Sequence, residues 1–350
     1  MTKRSSAFYV RFSMVLLGFA SLFLNACKKD DPPPDDPPAL DGGVYIINEG
    51  NYQWGNGSVD YLRFTDGTYS QDVFNTVNGR PLGDVVQSMT IYNGRAYIVV
   101  NNSGKIEVVD ITNFASVGTI PGLTSPRYCL PVSASKAYVT DLYSNSISIV
   151  DLNSLSKTGQ IPLRGSTEAL LRVGDTVYVT NTRTSFLYLV NPNTDALIDS
   201  IAIGFASNSL LMDQSGKLWV LCAGDELQSI NATLFVIDRV GGSVIRSFDL
   251  GSSLQIWDRV YKNASGDRIY YSCHGIWSMA TDALTLPAFP LISENGHTFH
   301  GMGIDPTNGT IYVSDAIDYV QHGKVFRYTE AGTIIDSFTA GIIPSAFVFN

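Results

Sequence analysis

The sequence predicts an all-β fold, a seven-bladed β-propeller closed by a C-terminal strand, from three observations. A strand–turn–strand pattern, clearest in Ala137–Asp151, recurs along the chain. The copies return every 40 to 52 residues, a spacing typical of four-stranded propeller blades. One further strand pattern, Pro344–Phe349, follows the last copy. Seven aromatic residues lead the copies: Tyr45, Tyr97, Tyr138, Tyr178, Trp219, Tyr270 and Tyr312.

The clearest copy, AYVTDLYSNSISIVD, shows why each half is a strand. Tyr138, Val139 and Thr140 are β-branched or aromatic, and Ser146–Val150 alternates polar and apolar residues at a period of two. That alternation is typical of a half-buried strand. The Asp, Ser and Asn residues between the halves favour a turn, because their side chains bond to their own backbone. A helical repeat would instead show a period of 3.6 residues.

Each unit is expected to hold an inner strand, the strand of the leading aromatic, a partner strand and an outer strand such as Ser156–Leu163. The first unit lacks an inner strand, because only a proline-rich segment precedes Tyr45. We therefore expect Pro344–Phe349 to pair with Val44–Asn48 and close the ring, which removes the open sheet edges. The alternative, a pair of β-sandwiches, needs no such exchange. The other inner strands are predicted at Val86–Tyr92, Tyr128–Ser133, Glu168–Val173, Asn208–Asp213, Trp257–Lys262 and Phe299–Asp305.

Residues 1–26 are predicted to be a lipoprotein signal peptide. Basic residues at Lys3, Arg4 and Arg11 precede a 13-residue apolar run, Phe12–Leu24, which is too short to span a bilayer. The run ends in Leu-Asn-Ala followed by Cys27, which resembles a bacterial lipobox, where the cysteine thiol is lipidated. The sequence thus predicts a lipid anchor at Cys27; the alternative is a core cysteine after a short hydrophobic helix.

Residues 27–41 are predicted to form a stalk before the propeller of residues 42–350. The stretch KKDDPPPDDPP contains no apolar residue apart from its prolines, which favour an extended, semi-rigid chain. Its Lys-Lys-Asp-Asp start resembles the acidic export signal of Bacteroidetes surface lipoproteins. An outer-membrane lipoprotein facing the cell surface is therefore expected, and a plain solvated linker is the alternative.

Composition restricts the partners. The net charge of −9 argues against nucleic acid, which requires a basic face. Three cysteines follow Cys27, at Cys129, Cys222 and Cys273, without the spacing of a metal site. Each falls in or beside a predicted strand, where a free cysteine behaves as a small apolar residue. A disulfide between two of them stays open, since the protein is expected to be exported.

The candidate binding site is the mouth of the central channel. Loops between blades and loops between the two middle strands of a blade share this face, where binding groups usually lie. The inner strands are expected to begin there with a mixed polar and aromatic ring: Gln87, Arg127, Glu168, Asn208, Trp257, His300 and Ser345. Arg127 is expected to offer a fork of hydrogen bonds. The predicted ligand-binding residues are Trp54, Arg127, Tyr128, Trp257, His300 and Tyr319; the alternative for the tryptophans is packing between blades.

Catalytic patterns are sparse. His297 and His300 are three residues apart, so on a strand they would face opposite sides, and no third metal ligand accompanies them at a fixed spacing. The chain contains no nucleophile elbow, phosphate-binding loop or Cys-x-x-Cys motif. The expectation from the sequence is a protein that is not an enzyme, with no catalytic residue, no metal and no covalently attached cofactor.

The segments VYVTNT and AYVTDLYSNSISIVDL resemble YVTN-type, YncE-like seven-bladed propellers. A wider set, NEGN, NGRPLGDVVQSM, NNSGKIEVVD and LTSPRY, together with the lipobox and acidic stalk, is similar to the cobalamin-binding BtuG family of Bacteroidetes surface lipoproteins. That resemblance implies capture of cobalamin or another corrinoid and its delivery to a TonB-dependent outer-membrane transporter. Two alternatives remain: a surface scaffold or glycan-binding propeller, and a lyase-like or lactonase-like propeller enzyme.

Overall fold

The computed structural model describes residues 40–350 and contains seven antiparallel sheets, six of four strands and one of three. The inner strands of neighbouring sheets contact one another in chain order, and the last contacts the first. The sheets are therefore the blades of a closed ring. The predicted all-β, seven-bladed propeller is confirmed. The predicted signal peptide, the lipid anchor at Cys27 and most of the stalk lie outside the described residues.

Blade one combines both ends of the described chain. Its strands are β1 (Gly43–Asn48), β2 (Ser58–Arg63), β3 (Tyr69–Ser70) and the C-terminal β27 (Pro344–Phe349). Helix α1 (Val73–Asn78) follows β3; the Asp72 side chain accepts a hydrogen bond at its start, and Gly79 ends it with a left-handed backbone.

Blades two to four follow the predicted four-strand order. Blade two contains β4 to β7 (Val86–Tyr92, Arg95–Val100, Lys105–Asp110 and Ser116–Ile120). Blade three contains β8 to β11 (Pro126–Pro131, Lys136–Asp141, Ser146–Asp151 and Ser156–Pro162). Blade four contains β12 to β15 (Thr167–Val173, Thr176–Asn181, Phe186–Asn191 and Ala196–Ala202).

Blades five to seven include the one irregular sheet. Blade five contains β16 to β19 (Ser207–Met212, Leu218–Cys222, Thr233–Asp238 and Ser243–Asp249). Blade six has three strands, β20 to β22 (Val260–Lys262, Arg268–Ser272 and Ile276–Ala280). Blade seven contains β23 to β26 (Phe299–Ile304, Ile311–Asp315, His322–Tyr328 and Ile334–Ile342).

The leading aromatics are the anchors of the blade interfaces. Seven apolar clusters lie between adjacent blades, and each contains one leading aromatic. Tyr138, for example, packs with Val177 and Val179 of the next blade and is fully buried. Burial of a large ring against the neighbouring sheet is a strong, non-directional source of stability. This explains why an aromatic residue returns at the same place in each unit.

Strand β27 closes the ring as predicted. It pairs antiparallel with β1, from Val44 opposite Phe349 to Asn48 opposite Pro344. The inner strand of blade seven approaches it so closely that a Cβ at Gly301 would lie 2.4 Å from the carbonyl oxygen of Ser345. A glycine is therefore needed where the last blade meets the first.

Blade six departs from the prediction, because the expected outer strand is missing. Residues 281–298 occupy its place as an irregular segment, linked to β22 by an isolated bridge between Ile276 and Ile292. Pro287 and Pro290 lie in this segment, and proline has no N–H to donate to a strand ladder.

Within residues 40–350, no helix is long and apolar enough to span a membrane.

Candidate functional site

The mouth of the channel is built by bulges at the start of the inner strands. In six blades the pairing of the inner strand with its neighbour slips by a residue or more at this point. A bulge turns its extra side chain away from the regular alternation of the strand. The residues in these bulges include six of the seven predicted ring residues: Gln87, Arg127, Glu168, Asn208, His300 and Ser345.

Serine and threonine residues of the second strand satisfy the backbone that the bulges disturb. Thr140 Oγ1 accepts a hydrogen bond from the Tyr128 N–H at 3.0 Å, and Thr180 Oγ1 accepts one from the Ala169 N–H at 2.7 Å. The Ser314 hydroxyl does the same for Gly301. A buried N–H without a partner is costly, so the threonine of the Tyr-Val-Thr pattern supports the mouth.

Blade six reaches the same position with a different residue from the one predicted. Its inner strand begins at Val260, and the Arg259 N–H is the group bonded to the second-strand Ser272 hydroxyl, at 2.9 Å. In the other blades the ring residue comes directly before the residue whose N–H is bonded in this way, as Arg127 precedes Tyr128 and Glu168 precedes Ala169. Asp258 therefore takes the ring position predicted for Trp257, and Arg259 corresponds to Tyr128. The error arose because the inner strand of this blade is only three residues long, so its start was placed too early.

A charged network crosses the channel at the mouth. Arg127 donates from Nε and Nη2 to the two carboxylate oxygens of Glu168, both at 2.7 Å, and from Nη1 to Gln87. From the far side of the ring, Arg259 donates to Glu168 Oε1 at 3.1 Å and to the Tyr128 hydroxyl at 2.7 Å. Glu168 is fully buried. The fork of Arg127 is thus already occupied by a carboxylate of this chain.

Both guanidinium groups stay charged in this network. Burial alone would lower the pKa of Arg127, but the adjacent Glu168 carboxylate outweighs it and the pKa is raised. The same holds for Arg259, where Tyr128 and Glu168 outweigh burial and raise the pKa. The network therefore holds two permanent positive charges on one buried carboxylate.

An aromatic cluster stands beside this network. The Trp257 ring lies 4.9 Å from the His300 ring and 6.4 Å from the Tyr319 ring. His300 Nε2 lies 3.3 Å from Glu49 Oε1, while its buried Nδ1 has no hydrogen-bond partner among the described residues. We call Trp257, His300 and Tyr319 the mouth cluster. It presents flat rings next to groups that accept or donate hydrogen bonds.

The six predicted ligand-binding residues thus fall into three sets. Arg127 and Tyr128 belong to the charged network, and Trp257, His300 and Tyr319 form the mouth cluster. Trp54 lies apart: its side chain is 77% exposed on the loop between β1 and β2. Arg259 and Glu49, which also line the mouth, were not among the residues predicted from the sequence. The one available signal for Arg259 was the serine two residues after Tyr270, which marks the register of the second strand.

Two cavities open at this face. The channel cavity, about 310 Å³, is lined near the mouth by Glu49, Gln87, Tyr128, Trp257 and Arg259 and farther along the inner strands by Leu130, Ala169, Leu170 and Ala346. The loop cavity, about 370 Å³, lies beside it among the loops of blades five to seven and shares Trp257. Its lining includes Asp258, His274, Glu294, His297, Phe299 and Tyr319.

The two histidines considered as a metal pair have separate partners. His297 Nδ1 lies 2.7 Å from Asp315 Oδ2, whereas His300 faces Glu49. In the part of the chain that the structure describes, no three side chains of the metal-binding types are grouped so that they could hold an ion.

The three cysteines within residues 40–350 are buried and free. Cys129, Cys222 and Cys273 form no disulfide with one another. Burial raises the pKa of the Cys129 thiol to about 12 and that of Cys273 to about 11. Thiols with such values are protonated at neutral pH and unreactive, in line with the apolar role predicted from the strands.

Comparison with solved structures gives the fold and its neighbours. A quinonprotein alcohol dehydrogenase-like protein from Bacteroides thetaiotaomicron superposes with a TM-score of 0.72 at 15% identity, over 89% of this chain and 79% of that one. The periplasmic gluconolactonase PpgL of Pseudomonas aeruginosa gives a TM-score of 0.64 at 12% identity, over 87% and 99%. A Bacteroides fragilis protein described as a putative 6-phosphogluconolactonase gives a TM-score of 0.63 at 14% identity, over 90% of this chain and 100% of that one. No curated protein sequence matches the chain.

The expectation that the protein is not an enzyme is corrected by these neighbours. Lactonases share the propeller architecture, so the lack of familiar catalytic motifs in the sequence was not a sufficient reason to exclude catalysis. At 12–14% identity the likeness carries the fold and no activity. The family itself is shown by sequence: a model described as a domain of unknown function, DUF5074, matches residues 42–315, and the chain belongs to the DUF5074 family.

Proposed function

We propose that this propeller is a surface lipoprotein that captures a corrinoid across its channel mouth and passes it to a TonB-dependent outer-membrane transporter. The observation that carries the proposal is the mouth cluster beside the charged network. Flat rings cover the apolar face of a large ligand at low entropic cost. Polar groups next to them can serve the amide edges of such a ligand. The choice of a corrinoid comes from the resemblance to the BtuG family.

The size of the channel cavity decides how such a ligand would sit. About 310 Å³ is at the lower limit of sites for small molecules, and Arg259 bridges the opening to Tyr128 and Glu168. A corrin-sized ligand therefore lies over the mouth, against Trp257 and Tyr319, and does not enter the channel. In this arrangement Arg127 supports the mouth through Glu168 and Gln87.

Exposed apolar side chains on the same face support a docking partner. Five of the most exposed large apolar residues lie in loops between the two middle strands of blades one, three, five and seven: Tyr52, Trp54, Tyr143, Leu227 and Val320. Apolar groups gathered on one face mark interaction surfaces. A transporter that meets this face would enclose the ligand between the two proteins.

The anchor part of the proposal is tested in cells. The Cys27→Ala variant should leave the membrane fraction, and protease treatment of whole cells should degrade the wild-type protein if it faces outward. A Cys27→Ala variant that stays in the membrane fraction contradicts lipidation, and full protection of the wild type contradicts the surface location.

The ligand is tested by titrating the mature protein with cyanocobalamin, followed by calorimetry and by the absorption of the corrin ring. Loss of a well-packed aromatic at a binding hot spot typically costs about 2 kcal/mol or more, so Trp257→Ala should weaken binding at least about tenfold. Phe289→Ala is the control, because Phe289 is 81% exposed outside the mouth. No heat and no spectral change with the wild type would contradict the corrinoid proposal.

A further inference from the structure

The loop cavity has a chemistry that corrinoid capture does not use. Its lining combines three aromatic rings, Trp257, Phe299 and Tyr319, with two carboxyl groups, Asp258 and Glu294. No lysine or arginine side chain is among its lining residues. The cavity, about 370 Å³, is large enough for a small molecule. A site with aromatic walls and acidic groups favours a cation over an anion or a neutral molecule.

The two carboxyl groups are not consumed by the protein. Asp258 Oδ2 accepts the Gln255 N–H at 2.8 Å, and the Ser272 hydroxyl also acts on this carboxyl group. Two carboxylate oxygens can accept more hydrogen bonds than these two. The Glu294 side chain receives no hydrogen bond from any described residue. By contrast, Asp315, which borders the same loops, is held by the Thr298 and Ile317 N–H groups and by His297. Asp258 and Glu294 therefore keep acceptor capacity for a ligand.

The aromatic walls are held in place by their own contacts. The rings of Trp257 and Tyr319 are 6.4 Å apart and tilted by 57°, so they form two sides of a corner. Phe299 lies parallel to the His297 ring at 6.1 Å. The electron-rich faces of such rings attract a positive charge, an effect strongest for tryptophan, and cages of this kind hold ammonium groups.

We propose that the loop cavity binds the ammonium group of a small organic cation. The rings contact the alkyl groups and the spread charge, and Asp258 and Glu294 supply the counter-charge. Burial raises the pKa of the Asp258 carboxyl, and a cation in the cavity would offset that cost by favouring the carboxylate. This cavity does not require a corrinoid at the mouth, so the proposal stands or falls separately from corrinoid capture.

The test uses choline chloride as the probe and calorimetry at constant ionic strength with the mature protein. 3,3-Dimethylbutan-1-ol has nearly the same shape as choline and no charge, so it measures the contribution of the charge. We expect saturable choline binding, with the neutral alcohol at least tenfold weaker. Glu294→Gln should weaken choline binding at least fivefold. Asp199→Asn is the matched control, since Asp199 is exposed on an outer strand, and it should bind choline as the wild type does.

Two results would overturn the proposal. One is equal binding of choline and the neutral alcohol, which would show a merely apolar cavity. The other is wild-type choline affinity in both Glu294→Gln and Trp257→Leu, which would place the cation elsewhere. Thermal unfolding followed by circular dichroism serves as the folding control for Glu294→Gln: wild-type unfolding with lost choline binding supports the loop cavity. Because Glu294 is absent from the lining of the channel cavity, this outcome does not depend on whether a corrinoid binds at the mouth.

Discussion

Blade three and blade six show how regular and irregular blades divide the tasks of this protein. Blade three has four full strands and the clearest copy of the repeat. Blade six has three strands, the first of only three residues, and an irregular segment in place of the fourth. Yet blade six and the loop before it supply Trp257, Asp258 and Arg259, which reach both cavities or the charged network.

The difference lies in what each blade does with its polar groups. In blade three, Asp141 ends the second strand and accepts the N–H groups of Ser125, Tyr143 and Ser144, so its carboxylate fixes two loops. At the same place blade six has Cys273, a buried thiol. The loops of blade six therefore lack this clamp, and polar side chains in them are left for other contacts. A repeat is most informative about function where it is broken.

Arg259 ties the irregular blade to the regular ones. Its guanidinium reaches across the channel and donates from Nε and Nη2 to the Tyr128 hydroxyl of blade three and from Nη2 to Glu168 of blade four. From Nη1 it donates to the carbonyl oxygens of Ile256 and Asp258 in its own loop. All five of its N–H groups can thus be satisfied. Blade six has an inner strand of only three residues, so the Arg259 side chain supplies part of the contact with the ring that the longer inner strands supply in the other blades.

The largest loss of stability is expected from opening the ring, because regular and irregular blades alike depend on its closure. Deleting residues 344–350 removes β27 and leaves β1 with an unpaired inner edge. We expect insoluble protein, because an exposed apolar strand edge invites aggregation. Soluble yield and size-exclusion chromatography measure the outcome. Deleting Asn350 alone keeps the paired strand and should leave the protein soluble; a soluble, monomeric 344–350 deletion would show that closure is dispensable.

The second largest effect compares the loss of a buried ion pair in the channel network with the loss of an ion pair on the surface. Glu168→Gln leaves the Arg127 and Arg259 charges buried without their carboxylate, which should lower the free energy of unfolding by about 3 kcal/mol. Arg327→Met is the control, because its ion pair with Asp336 is on the surface and should contribute less than about 1 kcal/mol. Urea unfolding of both variants decides. Equal, small losses would mean that blade six needs no link across the channel.

The same contrast explains what the sequence could predict. Tyr138, Val139 and Thr140 recur with local spacing, so the blade count, the closing strand and most inner strands followed from the pattern. The place of Arg127 and Glu168 at the start of their inner strands followed as well, since it repeats, whereas the bulges there were not predicted. The contact between Arg259 and Tyr128 joins residues 131 positions apart across the ring, and no local pattern encodes it. Nor did the repeat predict blade six, where Pro287 and Pro290 replaced a strand that the other units contain.

The smallest effect contrasts two carboxyl groups whose pKa values move in opposite directions. In regular blade two, burial would raise the pKa of Glu107, but hydrogen bonds from Arg80, Ser116 and Lys105 outweigh burial and lower it. Beside irregular blade six, burial raises the pKa of Asp258. The N–H of Gln255, the Ser272 hydroxyl and the nearby Arg259 and His274 lower this pKa, but burial outweighs them. Glu294 faces the same cavity. A lowered pKa in the folded state stabilises the fold above the unfolded-state pKa, and that stability is lost as pH falls through the folded-state value. A raised pKa does the reverse, so ionised Asp258 lowers stability at neutral pH.

Urea unfolding of Glu107→Gln and Asp258→Asn at pH 7 and at pH 4 therefore sharpens the comparison. Glu107→Gln should cost about 1 kcal/mol at pH 7, because charge-assisted hydrogen bonds are lost, and its difference from the wild type should shrink at pH 4. Asp258→Asn should be as stable as the wild type or more stable at pH 7, since the amide keeps an acceptor for Gln255 and carries no buried charge. A clear loss of stability in Asp258→Asn at pH 7 would mean that the Asp258 carboxylate stabilises the fold. Its acceptor capacity would then be used by the protein, as that of Glu107 is in blade two.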